Sequence, residues 1–116
     1  MPKFLFVYRN ARDSMSKLTP EEMQKSLQKW GAWIGEGMQK GWMLDAGDGL
    51  TDEGRVVNAK VVLDGPFAES KEIVGGFSMI QAETVEEAAQ LAKGCPIIAA
   101  GGSVEVRRLA GYTTKM

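Results

Sequence analysis

The chain has 116 residues, 44% of them hydrophobic, with 14 basic and 15 acidic side chains and a formal charge of −1 at neutral pH. That size suits one domain with its own core, spanning 1–116, and excludes global disorder. No dense basic face is present to grip nucleic acid, and no apolar run approaches the ~20 residues of a membrane helix.

Histidine is absent and there is one cysteine, Cys95. No histidine base, Ser-His triad or His-ligated metal can therefore form, and proton transfer would fall to Asp, Glu, Lys, Tyr or Cys95. A lone cysteine makes no internal disulfide, which fits a reducing, cytoplasmic setting. Met1-Pro2-Lys3 leads directly into a strand-like run too short for a signal sequence.

Lys3 to Tyr8 reads as the first strand, with Phe4, Phe6 and Tyr8 on one face and Leu5 and Val7 on the other. Both faces are apolar, so the strand is expected at the centre of a sheet covered on both sides. Arg9 to Lys17 is polar and reads as a loop. A helix is expected from Thr19-Pro20-Glu21-Glu22: Thr19 as N-cap, Pro20 in the first turn, Glu22 closing a capping box. Met23, Leu27, Trp30, Ile34 and Met38 recur at helical spacing, Trp33 lies on the edge of that stripe, and Gly41 is the expected stop. Gly31, Gly35 and Gly37 weaken the helix and admit either close packing or room for a ligand.

Trp42 to Ala46 is the second strand. Arg55 to Val57 and Lys60 to Leu63 form a short hairpin around Asn58-Ala59. Asp64 to Glu72 is a structured connection, and Gly75 to Gln81 the next strand, placing Phe77 and Met79 opposite Ser78 and Ile80. Thr84 caps a second helix, with Glu87 closing its box and Val85, Ala88, Ala89 and Ala92 on its buried side. Ile97 to Gly102 reads as a connection and Ser103 to Leu109 as the last strand. The order is strand, helix, strand, strand, helix, strand, with an extra hairpin. That is the ferredoxin-like β-α-β-β-α-β sandwich of the α+β class. Two helices cover one sheet face, while the first strand is apolar on both. A second copy, sheet against sheet, is therefore expected to complete a homodimer.

The run Asp64-Gly65-Pro66-Phe67-Ala68-Glu69-Ser70-Lys71-Glu72 gathers the densest set of charged and aromatic residues. Asp64 reads as a turn-capping carboxylate or as a general base, with Glu69 or Glu72 raising its pKa. Lys71 is a solvated or paired charge, or the partner of an anionic ligand group. Trp30, Trp33 and Trp42, with Phe67 and Phe77, are core, or the lining of a cleft for a flat apolar ligand between the first helix and the sheet. Asp45 either faces inward onto Arg9 or Arg107, or faces out. Cys95 follows a helix C-terminus, which disfavours a thiolate. No metal-ligand or phosphate-cradling spacing is found, and no cofactor is expected.

Asp64 to Glu72, with Gly75-Gly76-Phe77 and Gly102 to Arg107, resembles the DGPF-type branch of the YCII-related family. The resemblance implies a ferredoxin-like domain pairing as a dimeric α+β barrel. It implies no settled activity. Other members are thought to use a His-Asp pair, whose positions by element correspond to Trp30 and Cys95, so that chemistry does not transfer. Genes of the DGPF type often neighbour sigma-factor genes, which leaves a regulatory role open.

Beside a purely structural dimer whose 64–72 run only builds the connection, two functions are consistent with these residues. One is a small cofactor-free enzyme acting on a small aromatic or apolar molecule, with Asp64 as acid/base, Lys71 as anion partner and Glu72 beside them. The other is a non-catalytic ligand-binding or regulatory module using the same cleft, with Trp30, Trp33, Asp45, Phe67 and Glu69 as contacts.

Overall fold

The computed structural model describes residues 1–11, 17–65 and 72–112. Its elements are β1 (Lys3–Ala11), α1 (Pro20–Lys40), β2 (Met43–Gly49), β3 (Gly54–Val57), β4 (Val62–Gly65), β5 (Glu72–Gln81), α2 (Val85–Ala92), α3 (Pro96–Ala99) and β6 (Ser103–Arg108). Four strands form an antiparallel sheet in the order β2-β5-β1-β6, and β3 and β4 form a separate two-stranded sheet. β5 is inserted between β1 and β2, which is the split β-α-β connection.

The expected dimeric α+β barrel is corrected by this topology. Neither sheet is closed: β2 and β6 end the strand order without pairing to each other. Four strands are also half of the roughly eight that close around a filled interior. The fold is an open α+β arrangement with two sheets.

Local sequence explains most element boundaries. Thr19 Oγ1 accepts from the Glu22 N–H at 3.1 Å, and Glu22 Oε1 accepts from the Thr19 N–H at 3.1 Å. That box satisfies two groups at the start of α1 and holds the Glu22 carboxyl below its usual range. Gly41 ends α1 in the left-handed region, φ 85°. The second box is only half made. Thr84 Oγ1 accepts from the Glu87 N–H, while Glu87 Oε2 reaches the Glu83 N–H instead of that of Thr84.

Several boundaries differ from the sequence reading, β2 running on to Gly49 and β5 beginning at Glu72 among them. β1 runs on to Ala11, past a bulge between Tyr8 and Arg9, because β5 supplies partners as far as Glu72. Residues Pro96–Ala99 form a one-turn helix rather than a plain connection. Asp64 lies inside β4, opposite Arg55, rather than at the head of a loop.

The core lies between the sheet and the helices. Phe4, Phe6, Ile80 and Ser78 are fully buried, with Tyr8, Met43, Ala88, Ala92, Cys95 and Ile97 nearly so. On α1 the inward residues are Met23, Ser26, Trp30, Trp33, Ile34 and Gly37. The buried face is turned by about one residue from the apolar stripe in the sequence, and Leu27 and Met38 are more than half exposed. The cause is Trp42: a Cβ on Gly37 would sit 2.8 Å from its ring, so only glycine lets the ring lie against α1. On α2, Ala88 and Ala92 are buried as expected, whereas Val85 and Ala89 are exposed.

The outer sheet face carries Leu5, Val7, Phe77 and Met79, with an ionic line beside them on β1 and β6. Glu105 bridges Arg9 (3.0 Å) and Arg107 (3.2 Å), and hydrogen bonds from Arg107 and then Arg9 hold its carboxyl below the ordinary range.

Candidate functional site

The space between α1 and the sheet is filled by rings. Trp33 meets Phe6 (6.3 Å between centroids), Tyr8 (6.3 Å), Trp30 (6.0 Å) and Trp42 (5.5 Å), and Trp30 stands edge-on to Tyr8 at 4.8 Å. Burial of such large apolar surfaces, together with edge-to-face contacts, makes this cluster the main cohesive unit between helix and sheet. The expected cleft at this place is therefore a packed interface among the described residues.

Beneath the rings runs a buried polar relay. The Tyr8 hydroxyl donates to Ser78 Oγ at 2.7 Å, and the Ser78 hydroxyl donates to the Ala46 carbonyl at 2.7 Å. It joins three strands, β1, β5 and β2. Its position is set by β2, whose register with β5 shifts twice, between Met43 and Asp45 and between Asp45 and Asp48. A bulge leaves backbone groups without ladder partners, and here the Ser78 side chain satisfies one of them. Neither the serine nor the bulge had a sequence signal beyond the glycine at Gly47.

Burial pushes the Tyr8 hydroxyl pKa up, against the opposing effect of its Ser78 bond. Burial likewise pushes the Cys95 thiol up to about 11, with a backbone hydrogen bond at Ile97 opposing. Both groups are protonated at neutral pH and lack nucleophilic character.

The sign of the resulting pH dependence follows from proton counts. Between about pH 9 and 11 the unfolded chain loses the Cys95 proton while the folded chain keeps it. Stability is therefore complete below pH 9 and falls as pH rises toward 11. The expected loss is on the order of 2 kcal/mol. Thermal melts at pH 7.5 and 10.5 check it: Cys95→Ala should lose less between those two values than the native chain.

Among the described residues, the expected site residues are placed as follows. Asp64 is on the β3–β4 hairpin, its carboxylate 94% exposed and 3.5 Å from Arg55 Nε. Glu72 opens β5, its backbone opposite Ala11. Phe67, Glu69 and Lys71 lie outside the described residues. Asp45 faces out, and its Oδ1 accepts from the Gly47 N–H at 2.8 Å, so it caps the β2 bulge and meets neither Arg9 nor Arg107. Only Trp30 and Trp33 come together, in the ring cluster. Trp30 and Cys95 both border Tyr8.

One open groove was missed by the sequence reading. It lies on the helix side between α1 and the α2–α3 corner and has a volume of about 470 Å³. Trp33, Cys95, Pro96 and Ile98 line it, with Lys29 and Lys93 among the residues around them. Only the tertiary fold brings Lys29, Lys93 and Trp33 to one groove. Among the described residues, no cluster of Cys, Asp or Glu has the makings of a metal site.

An open antiparallel sheet carrying helices on one face, with an aromatic-filled interface and a side groove, defines a small α+β domain with no built catalytic constellation among its described residues. The chain belongs to the YCII-related domain family, whose model matches residues 4–111. No curated protein matches it. No described helix is long and apolar enough to cross a membrane.

Proposed function

We propose that this chain is a non-catalytic binding module for a small apolar or aromatic carboxylate, held in the groove between α1 and the α2–α3 corner. The observation that carries this reading is the pairing of an apolar floor, Trp33, Pro96 and Ile98, with two lysines, Lys29 and Lys93. An apolar body displaces water from the floor, and a carboxylate finds an ammonium group at the edge. The run from Asp64 to Glu72 resembles the DGPF-type branch of the family, and a regulatory role is one use of such binding.

The alternative, a cofactor-free enzyme working from Asp64, has less support. Its carboxylate is exposed and ion-paired on the hairpin, apart from the rings that were to hold the substrate.

Titration of the protein with phenylacetate, followed by tryptophan fluorescence, tests the proposal. A saturable change is expected, weakened at least tenfold in Lys29→Glu/Lys93→Glu. The neutral amide, phenylacetamide, should bind at least tenfold more weakly than the acid. No saturable change, or equal affinity for acid and amide, overturns the proposal.

A further inference from the structure

We infer, resting on the binding reading above, that the indole N–H of Trp33 is the donor that holds the ligand's carboxylate in the groove, and that Gly94 keeps the approach to it open. Trp33 is 8% exposed, and an indole N–H buried to that extent ordinarily finds an acceptor. Among the described residues none accepts from its Nε1. The donor is also fixed in place, because the ring packs against Phe6, Tyr8, Trp30 and Trp42. A ligand oxygen that meets it therefore has no donor to reorganise first.

The edge of the ring that carries Nε1 lies beside Gly94, which also lines the groove. A Cβ on Gly94 would stand 3.1 Å from Nε1 and 3.4 Å from Cδ1. An oxygen accepting from an N–H sits at about 2.7–3.2 Å, so the missing side chain leaves a place at the right distance for one. The backbone does not call for glycine here, since Gly94 is not among the glycines with positive φ. The Leu91 carbonyl, 3.7 Å from the same point, accepts from the Gly94 N–H at 3.3 Å.

Positive charge is rooted beside the donor. Lys93 precedes Gly94 in the chain, and Lys29 stands one turn before Trp33 on α1. Both line the groove, and among the described residues neither amine is ion-paired. A carboxylate has two oxygens with about four lone-pair sites, so one oxygen accepts from Nε1 while the other meets an ammonium group. The acid end of the ligand then lies at Gly94, and its apolar body extends over Pro96 and Ile98. Trp33 reads the acid from inside the groove, and Gly94 sets which ligands reach it.

Proton–nitrogen correlation NMR of the full chain tests this. Its three tryptophans give three indole N–H signals. With phenylacetate as the probe, the assigned Trp33 signal should move downfield in a saturable way, and further than those of Trp30 and Trp42. Gly94→Ala, its folding checked by circular dichroism, should bind phenylacetate at least tenfold more weakly and lose the downfield movement. If that variant fails to fold, the titration of the native chain decides alone. A saturable fluorescence change with an unmoved Trp33 indole signal overturns this role for Trp33 and leaves the groove reading standing. So does a folded Gly94→Ala that binds with native affinity. No binding by the native chain overturns both.

Discussion

Gly47→Ala should unfold this domain at far lower urea concentration than any other alanine substitution at a glycine. Gly47 has φ 66°, in the left-handed region that other residues enter at a cost of about 1–2 kcal/mol. The added Cβ would also stand 1.9 Å from the Phe77 carbonyl oxygen and 2.7 Å from its carbon. Those are backbone atoms, so no rotamer change relieves the clash. The bulge must open, and with it goes the Ser78 bond to the Ala46 carbonyl. A total loss of at least about 3 kcal/mol is expected, in the range reserved for disrupted special backbone positions. Gly31→Ala is the control: its Cβ would meet nothing within 4 Å, and α1 should gain about 0.5–1 kcal/mol. A Gly47→Ala midpoint within 1 kcal/mol of native would show that the bulge is not built as described.

Trp33→Ala should cost about 3–5 kcal/mol, the usual penalty for truncating a buried large aromatic. Trp33 is 8% exposed and is the one ring in contact with Phe6, Tyr8, Trp30 and Trp42 alike. Its loss leaves a cavity between α1 and the sheet that those four rings, held on α1, on β1 and just before β2, cannot collapse to fill. Urea denaturation gives the stability, and near-ultraviolet circular dichroism should lose most of its aromatic signal. Trp30→Ala, at a half-buried position touching fewer rings, should cost clearly less. If the two substitutions cost the same, Trp33 is not the hub of the cluster.

Features governed by neighbours in the chain were legible in the sequence. The Thr19–Glu22 box, the Gly41 stop and the alternation of Phe4, Phe6 and Tyr8 depend on local geometry, and the structure has them where expected. Features governed by distant contacts were not. The face that α1 buries is decided by the Trp42 ring against Gly37, so the apolar stripe ending at Leu27 and Met38 pointed about one residue astray. A polar Arg9 and Asn10 looked like loop because their strand partners, Val74 and Ile73, lie more than sixty residues later.

The candidate site was legible to the extent that Trp30 and Trp33 do sit together. The charged residues did not follow them. Asp64 looked like a loop carboxylate beside a Pro-Gly bend, whereas pairing with Arg55 across the hairpin carries it onto a separate sheet. Asp45, set among apolar neighbours, has its need met two residues away by the Gly47 N–H. Lys29 and Lys93 gave no signal, since sixty-four positions separate them and only the meeting of α1 with the α2–α3 corner brings them to one groove.

The irregular edge at β2 has a consequence for how this molecule behaves in a crowded solution. An outermost strand with a regular row of unsatisfied amides and carbonyls invites a stranger's strand to zip alongside, the first step toward fibres. Here one border is broken by two register shifts, and the other ends in Glu105, Arg107 and Arg108. Neither offers a straight template. Sideways accretion of the sheet is discouraged at both rims, while its flat side stays available for contact, so concentrated solutions should form discrete assemblies rather than filaments.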